Sequence, residues 1–246
     1  MKNNIFLIII AAIILLSIIM LARPQGILAG GEAYYHLLVS EKGIENSPTA
    51  VERPLFVSQY DYVLKAAFLF FNPVLFMKLF PIILGVICAI LMFLVAKKII
   101  KDKSALYASL IFVLSPTFLY IFSTNSAEIV QLSLLLAGAY LLVSKNKYLS
   151  CLSLVPFILA SLNSIFISLL ILVIYLTYFM IKKEKGYYFI ACSIAIIALA
   201  VYNAPKFMIN YSISNMTPLS NLFADFGGML GISIFTAIFF IAGFIA

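Results

Sequence analysis

VLFMKLFPIILGVICAILMFLVA, residues 74–96, is the stretch on which the fold turns: its one charge is Lys78, and Lys97-Lys98 closes it. Apolar side chains occupy every face at helical spacing, and the run meets the roughly 17–25 residues an α-helix needs to cross about 30 Å of hydrocarbon. A membrane β-strand would instead alternate in polarity over about 10 residues. Working outward, further apolar runs occupy 5–22, 105–122, 127–143, 148–162, 165–181, 187–204 and 228–246. Of the 246 residues, 65% are hydrophobic and 10% charged, too little polar surface to cover a domain of this size in water. The expected fold is all-α: a polytopic transmembrane helical bundle of about eight spans, one domain over 1–246. The run at 5–22 reads as a retained first span, because Ala22-Arg23-Pro24 offers no small-x-small cleavage site. That at 148–162 is short and contains Pro156, and it is expected to join the next span through a turn at Leu162-Asn163-Ser164.

Charge orients the bundle, since cytoplasmic loops retain Lys and Arg. With Lys2 inside, the same side carries Lys97, Lys98, Lys101, Lys103, Lys145, Lys147, Lys182, Lys183 and Lys185, but only Asp102 and Glu184 among the acids. Glu32, Glu41, Glu45, Glu52, Asp61, Glu128 and Asp225 all fall outside. A cell-membrane protein with a cytoplasmic N-terminus and an extracytoplasmic first loop is expected. The net charge of +7 then reflects topology and anionic lipid and needs no nucleic acid. Cys88, Cys151 and Cys192 sit in apolar runs without paired spacing, as buried small hydrophobes.

The large outer loop, residues 23–73, carries the candidate site. Residues 32–42 read as a short helix with Tyr34, Leu37 and Leu38 on one face, closed by Gly43. Residues 56–71 read as an interfacial helix with Phe56, Tyr60, Val63, Leu64, Ala67, Phe68 and Phe71 on an apolar stripe and Gln59, Asp61 and Lys65 elsewhere. Gly30-Gly31 delivers Glu32 to the membrane surface, and His36 lies four residues on, one helical turn away. A carboxylate and an imidazole so spaced can act as base, metal ligand or hydrogen-bond pair; interfacial hydrogen bonding beside an aromatic anchor is the structural alternative. At the junction of the third and fourth spans, Ser123-Thr124-Asn125-Ser126-Ala127-Glu128 brings a second carboxylate to a helix start, where capping and dipole stabilisation are the alternative. Arg53 and Lys65 are outer cations able to meet a phosphate or to snorkel as anchors.

Glu32-Ala33-Tyr34-Tyr35-His36-Leu37 resembles the acidic-x-aromatic-aromatic-His-Leu signature in the first outer loop of the GT-C membrane glycosyltransferases, closest to the archaeal-type oligosaccharyltransferase catalytic subunits. The resemblance continues in order through Pro54-Leu55, the 56–71 segment, Lys78-Leu79-Phe80-Pro81 with Gly85, Ser115-Pro116-Thr117-Phe118 and the 123–128 segment. It implies a sugar or glycan carried on polyprenyl or dolichyl phosphate, protein glycosylation or a related transfer at the outer face, and loop carboxylates as base or ligands of a magnesium or manganese ion. Glu32 and Glu128 inherit those catalytic and metal roles, with His36, Tyr35, Arg53 and Lys65 at the donor. Glu stands at the first acidic position where the family commonly has Asp. The family also carries a soluble domain with a Trp-Trp-Asp motif, and this chain has no Trp. The resemblance therefore implies either a piece of a longer chain or a reduced member whose acceptor is recognised differently, with a partner subunit as a further source of the acceptor-binding domain. The other reading is a non-catalytic subunit or scaffold that binds a lipid-linked glycan.

Overall fold

The computed structural model describes residues 2–21, 31–42, 58–144 and 147–162, with scattered positions between 168 and 202. All regular structure among these residues is helical. In chain order the helices are α1 (Lys2–Leu21), α2 (Gly31–Lys42), α3 (Gln59–Ala67), α4 (Pro73–Ile99), α5 (Asp102–Leu114), α6 (Pro116–Ser123), α7 (Glu128–Leu142), α8 (Lys147–Leu152) and α9 (Leu154–Ser161).

α4 is the axis of the bundle. Asn72 caps it by accepting the amide of Leu75 at 3.2 Å, and Pro73 fills the first helical position, where an N–H would have no intrahelical acceptor. The helix runs on through a buried Pro81 to its lysine-rich end. Against it pack Ile8, Ala12 and Leu16 of α1, Phe118 and Phe122 of α6, and Ile129 and Leu136 of α7, forming one apolar core. Gly85 makes the α1 approach possible: a methyl there would lie 2.6 Å from Leu16 Cδ1 and 3.1 Å from Phe122 Cγ. Gly138 does the same between α7 and α9, where a methyl would meet the Phe157 ring at 2.6 Å.

α4 and α7 run in the same direction. Met77 and Val130, near their starts, share a cluster, and near their ends Lys98 donates to the Tyr140 carbonyl at 3.2 Å and lies over its ring. Lys97, Lys98, Lys101 and Lys103 thus gather at one end of the bundle, with Asp102 paired to Lys97 at 3.0 Å. The starts of α4 and α7, with α2 and α3, form the other end.

The outward surface is apolar as well. Leu75, Leu79, Ile83 and Ile87 form an exposed stripe along successive turns of α4, and Phe6, Ile10, Ile14 and Ile18 are exposed on α1.

Three segments differ from the expectation. The 105–122 run is not one straight helix: it breaks at Ser115, and α5 and α6 meet with a bend of 56°. Pro116 lacks an amide and disfavours a helical residue before it, and Ser115, in an extended conformation, caps α6 by accepting the Phe118 amide at 3.2 Å. The 148–162 run divides into α8 and α9 because Pro156 is accommodated in the first turn of a new helix that starts at Leu154. Of the helix expected over 56–71, the described part runs from Gln59 to Ala67, and residues 68–71 turn away from it.

By length and composition, Pro73–Ile99 is long and apolar enough to cross a membrane, and the bent pair α5–α6 passes when taken together. The apolar helical stretches Ile5–Ile19, Glu128–Leu142 and Tyr148–Ser161 are shorter. The runs at 165–181 and 187–204 are described only at scattered positions, and 228–246 lies outside the described residues.

Candidate functional site

At the end of the bundle opposite the lysines, α2 and α3 pack on each other, and α3 rests on the starts of α4 and α7. Ala33, Tyr60, Leu64, Met77 and Val130 form the buried centre of this junction, with Ala127 packed against it. The buried face of α3 is that of the expected stripe at Tyr60, Leu64 and Ala67, whereas Phe71 is exposed.

α2 is rotated from its expected setting. Its buried residues are Ala33, His36, Val39 and Ser40, whereas Tyr34 is half exposed at 50%. The reason is polar. His36 Nδ1 donates to Asp61 Oδ1 at 2.6 Å, in a pair whose side chains are only 4% and 0% exposed. A buried carboxylate is costly unless fully hydrogen-bonded. Here Asp61 Oδ2 also accepts from the Ser58 amide at 2.7 Å and the Ser58 hydroxyl at 3.1 Å. Asp61 is thus both the acidic member of a capping box that starts α3 and the partner that turns His36 inward.

Aromatic edges hold the imidazole on two further sides. Tyr60 meets it at 5.0 Å and 86°, and Tyr35 at 5.3 Å and 71°. Tyr60 is itself anchored, donating its hydroxyl to Asn125 Oδ1 at 2.9 Å. Burial pushes the Tyr60 phenol above its ordinary range, and the adjacent Asp61 charge pushes in the same direction. This bond ties the loop helices to the segment that precedes α7. A second tie runs from Gln59 Nε2 to the Leu159 carbonyl at 2.7 Å, linking α3 to α9.

The structure distributes the expected site residues unevenly. His36 is central and Tyr35 flanks it. Glu32 lies in the first turn of α2, but its side chain is outside the described residues, as is the whole of Arg53. Glu128 lies at the start of α7 with an exposed side chain, and Lys65 is exposed on α3. The chain neighbours of both acids, Ala33 and Ala127, belong to the same apolar cluster, so the two motifs converge on one end of the bundle. Among the described residues no group of three or more His, Cys, Asp or Glu side chains is arranged to hold a metal ion. Both oxygens of Asp61 are already engaged by protein donors.

Sequence reasoning left Asp61 with the polar residues off the stripe and so missed the buried dyad. Two signals pointed to it: Ser58-Gln59-Tyr60-Asp61 has capping-box spacing, and the chain has a single histidine that needs a partner if buried. Chemically, an imidazole whose Nδ1–H is held by a carboxylate offers Nε2 as its acceptor when neutral.

The chain matches no protein-family model, no curated protein and no solved structure.

Proposed function

We propose that this chain is an integral membrane glycosyltransferase of GT-C type that transfers a sugar or glycan from a polyprenyl-phosphate carrier to an acceptor at the extracytoplasmic face. The observation that carries the reading is the docking of α2 and α3 on the start of α7. Through the Ala33–Tyr60–Val130 cluster and the Tyr60–Asn125 bond, the helix bearing Glu32 and His36 meets the segment that ends in Glu128. The two acidic motifs on which the resemblance rests, distant in sequence, thus belong to one end of the fold.

Two further features support a membrane setting and the expected bundle of about eight spans. The exposed stripe Leu75, Leu79, Ile83 and Ile87 would be unfavourable against water along its whole length and is natural against lipid. The common direction of α4 and α7, with lysines at the far end, is the arrangement expected of a second and a fourth span that both enter the cytoplasm.

In the reaction the acceptor nucleophile attacks the anomeric carbon, the carbon–oxygen bond to phosphate breaks, and the polyprenyl phosphate departs. In this reading Glu32 receives the acceptor proton or holds a cation, and Glu128 orients the donor. A magnesium or manganese ion, which the resemblance implies, would be held by these two acids and would neutralise charge on the departing phosphate. Lys65, and Arg53 in the same loop, supply positive charge for the carrier phosphate.

The test is transfer from a radiolabelled polyprenyl-phosphate hexose in proteoliposomes containing the full chain. Glu32→Gln and Glu128→Gln should each lower the rate; unchanged rates in both would remove these acids from the site. The saturation of Asp61 by hydrogen bonds favours a second reading, in which α2 and α3 form a rigid platform that holds a lipid-linked glycan without turning it over. Binding of the carrier lipid without transfer by the wild type would support that reading.

A further inference from the structure

We propose that His36 is a catalytic residue whose Nε2 takes the acceptor proton, with Asp61 as its positioning residue. The inference rests on the glycosyl-transfer reading and deepens it. It arises from a buried dyad that the resemblance does not supply.

The geometry has four parts. First, the Asp61 carboxylate fixes Nδ1 as the donor nitrogen at 2.6 Å. A neutral ring in that state can carry no proton on Nε2, so Nε2 is left as an acceptor. Second, the carboxylate cannot swing away, because the Ser58 amide and hydroxyl hold its other oxygen at 2.7 and 3.1 Å. Third, Tyr60 and Tyr35 meet the ring edge-on, and the Tyr60–Asn125 bond holds Tyr60 in place. Fourth, no described residue hydrogen-bonds Nε2, and the His36 side chain keeps 4% of its surface exposed. A purely structural histidine in such a setting would normally use both nitrogens within the protein. Here one is fixed and the other is kept available.

This arrangement suits proton transfer better than a lone loop carboxylate does. An ordinary carboxylate is a weak base at neutral pH, whereas imidazole titrates close to it, and a carboxylate behind the ring stabilises the imidazolium that forms. In the step proposed, the acceptor O–H or N–H bond breaks and its proton goes to Nε2 as the nucleophile bonds to the anomeric carbon. The bond to the carrier phosphate breaks and the phosphate leaves with the electron pair. The imidazolium then returns its proton to water or to the departing phosphate. Glu32, one helical turn before His36, is thereby left to hold a cation or the sugar.

The single histidine makes the idea directly readable. The full chain, labelled with ¹⁵N-histidine and reconstituted in phospholipid nanodiscs, gives one imidazole signal pair. The neutral ring should carry its proton on Nδ1, and Asp61→Asn should change that tautomer preference. A wild-type ring protonated on Nε2 would overturn the proton step while leaving the transfer reading intact. Two variants separate chemistry from structure. Asparagine at position 36 can replace the Nδ1 donor to Asp61 but has no Nε2 acceptor. His36→Asn should therefore keep the fold by circular dichroism and lower transfer from a polyprenyl-phosphate hexose by about 100-fold or more. His36→Ala should lower both the unfolding midpoint and transfer. If His36→Asn transfers at the wild-type rate, the histidine is only a brace and the proposal fails. If the wild type itself transfers nothing, the glycosyl-transfer reading falls and takes the proton step with it.

Discussion

Asp61→Ala is the perturbation whose cost the structure defines most closely. The substitution removes the acceptor of three hydrogen bonds and strands two donors in a buried place, His36 Nδ1–H and the Ser58 amide. Each buried donor left without a partner costs about 1–3 kcal/mol, and breaking a buried charge-assisted pair by removing one member typically costs about 3–5 kcal/mol. Against a total stability of about 5–15 kcal/mol this is a large fraction. For a chain of this length it should lower the unfolding midpoint by roughly 6–20 °C. The assay is thermal unfolding of the purified chain in one fixed detergent, followed by far-ultraviolet circular dichroism, on the wild type, Asp61→Ala, His36→Ala and the double variant. Because both side chains are buried and in contact, the double variant should be less damaged than the sum of the singles, with a coupling of about 1.5–3 kcal/mol. A midpoint shift below about 2 °C, or singles that add to within about 0.5 kcal/mol, would refute the buried dyad.

Other outcomes follow from the same contacts. Tyr60→Phe removes the donor to Asn125, leaves a buried amide oxygen unbonded and should cost about 1–3 kcal/mol, read by the same melt. Its pH dependence has a definite sign. The folded-state phenol titrates above its ordinary range, so as the pH rises past about 10 the unfolded chain loses this proton first and stability falls. Tyr60→Phe should lack that part of the alkaline loss, and melts of the two proteins compared through this range measure it. Gly138→Ala places a methyl 2.6 Å from the Phe157 ring; the ring must move, and the net destabilisation should be about 1–2 kcal/mol even after the gain in helix propensity. Phe157→Leu should relieve it, and a melt showing Gly138→Ala as stable as the wild type would contradict the close approach. In a cysteine-free background, Lys65→Cys should react with an impermeant maleimide added outside right-side-out vesicles, and Lys101→Cys only after permeabilisation. Labelling of both from the same side would contradict the charge-based topology.

Much of the helical layout was legible because apolar length and punctuation are local properties. Asn72-Pro73 announces the start of α4, and Lys97-Lys98 marks its end. The breaks were harder. Pro81 sits inside α4 without ending it, whereas Pro116 ends α5, because Ser115 is there to cap a new start. A proline alone does not distinguish these outcomes; its neighbours and the tertiary packing do. The rotation of α2 was not legible from its apolar periodicity, which favoured Tyr34, Leu37 and Leu38. A buried polar partner from α3, 25 residues away, turned His36 inward instead. Asp61 was hidden for the same reason: a charged residue flanking an apolar stripe normally faces water, and only a tertiary partner reverses that expectation. His36 and the Ser123–Glu128 segment stand out in the sequence, but the bond that joins their neighbourhoods, Tyr60 to Asn125, links two residues whose types gave no sign of each other.

The most direct test of the account is transfer of label from a polyprenyl-phosphate hexose by proteoliposomes carrying the wild-type chain, Glu32→Gln or Glu128→Gln, with any partner subunit that copurifies retained. The account predicts that label leaves the lipid phase with the wild type and that each variant slows this at least about tenfold, equivalent to about 1.4 kcal/mol of transition-state stabilisation. No transfer by the wild type, or equal transfer by all three proteins, would contradict it.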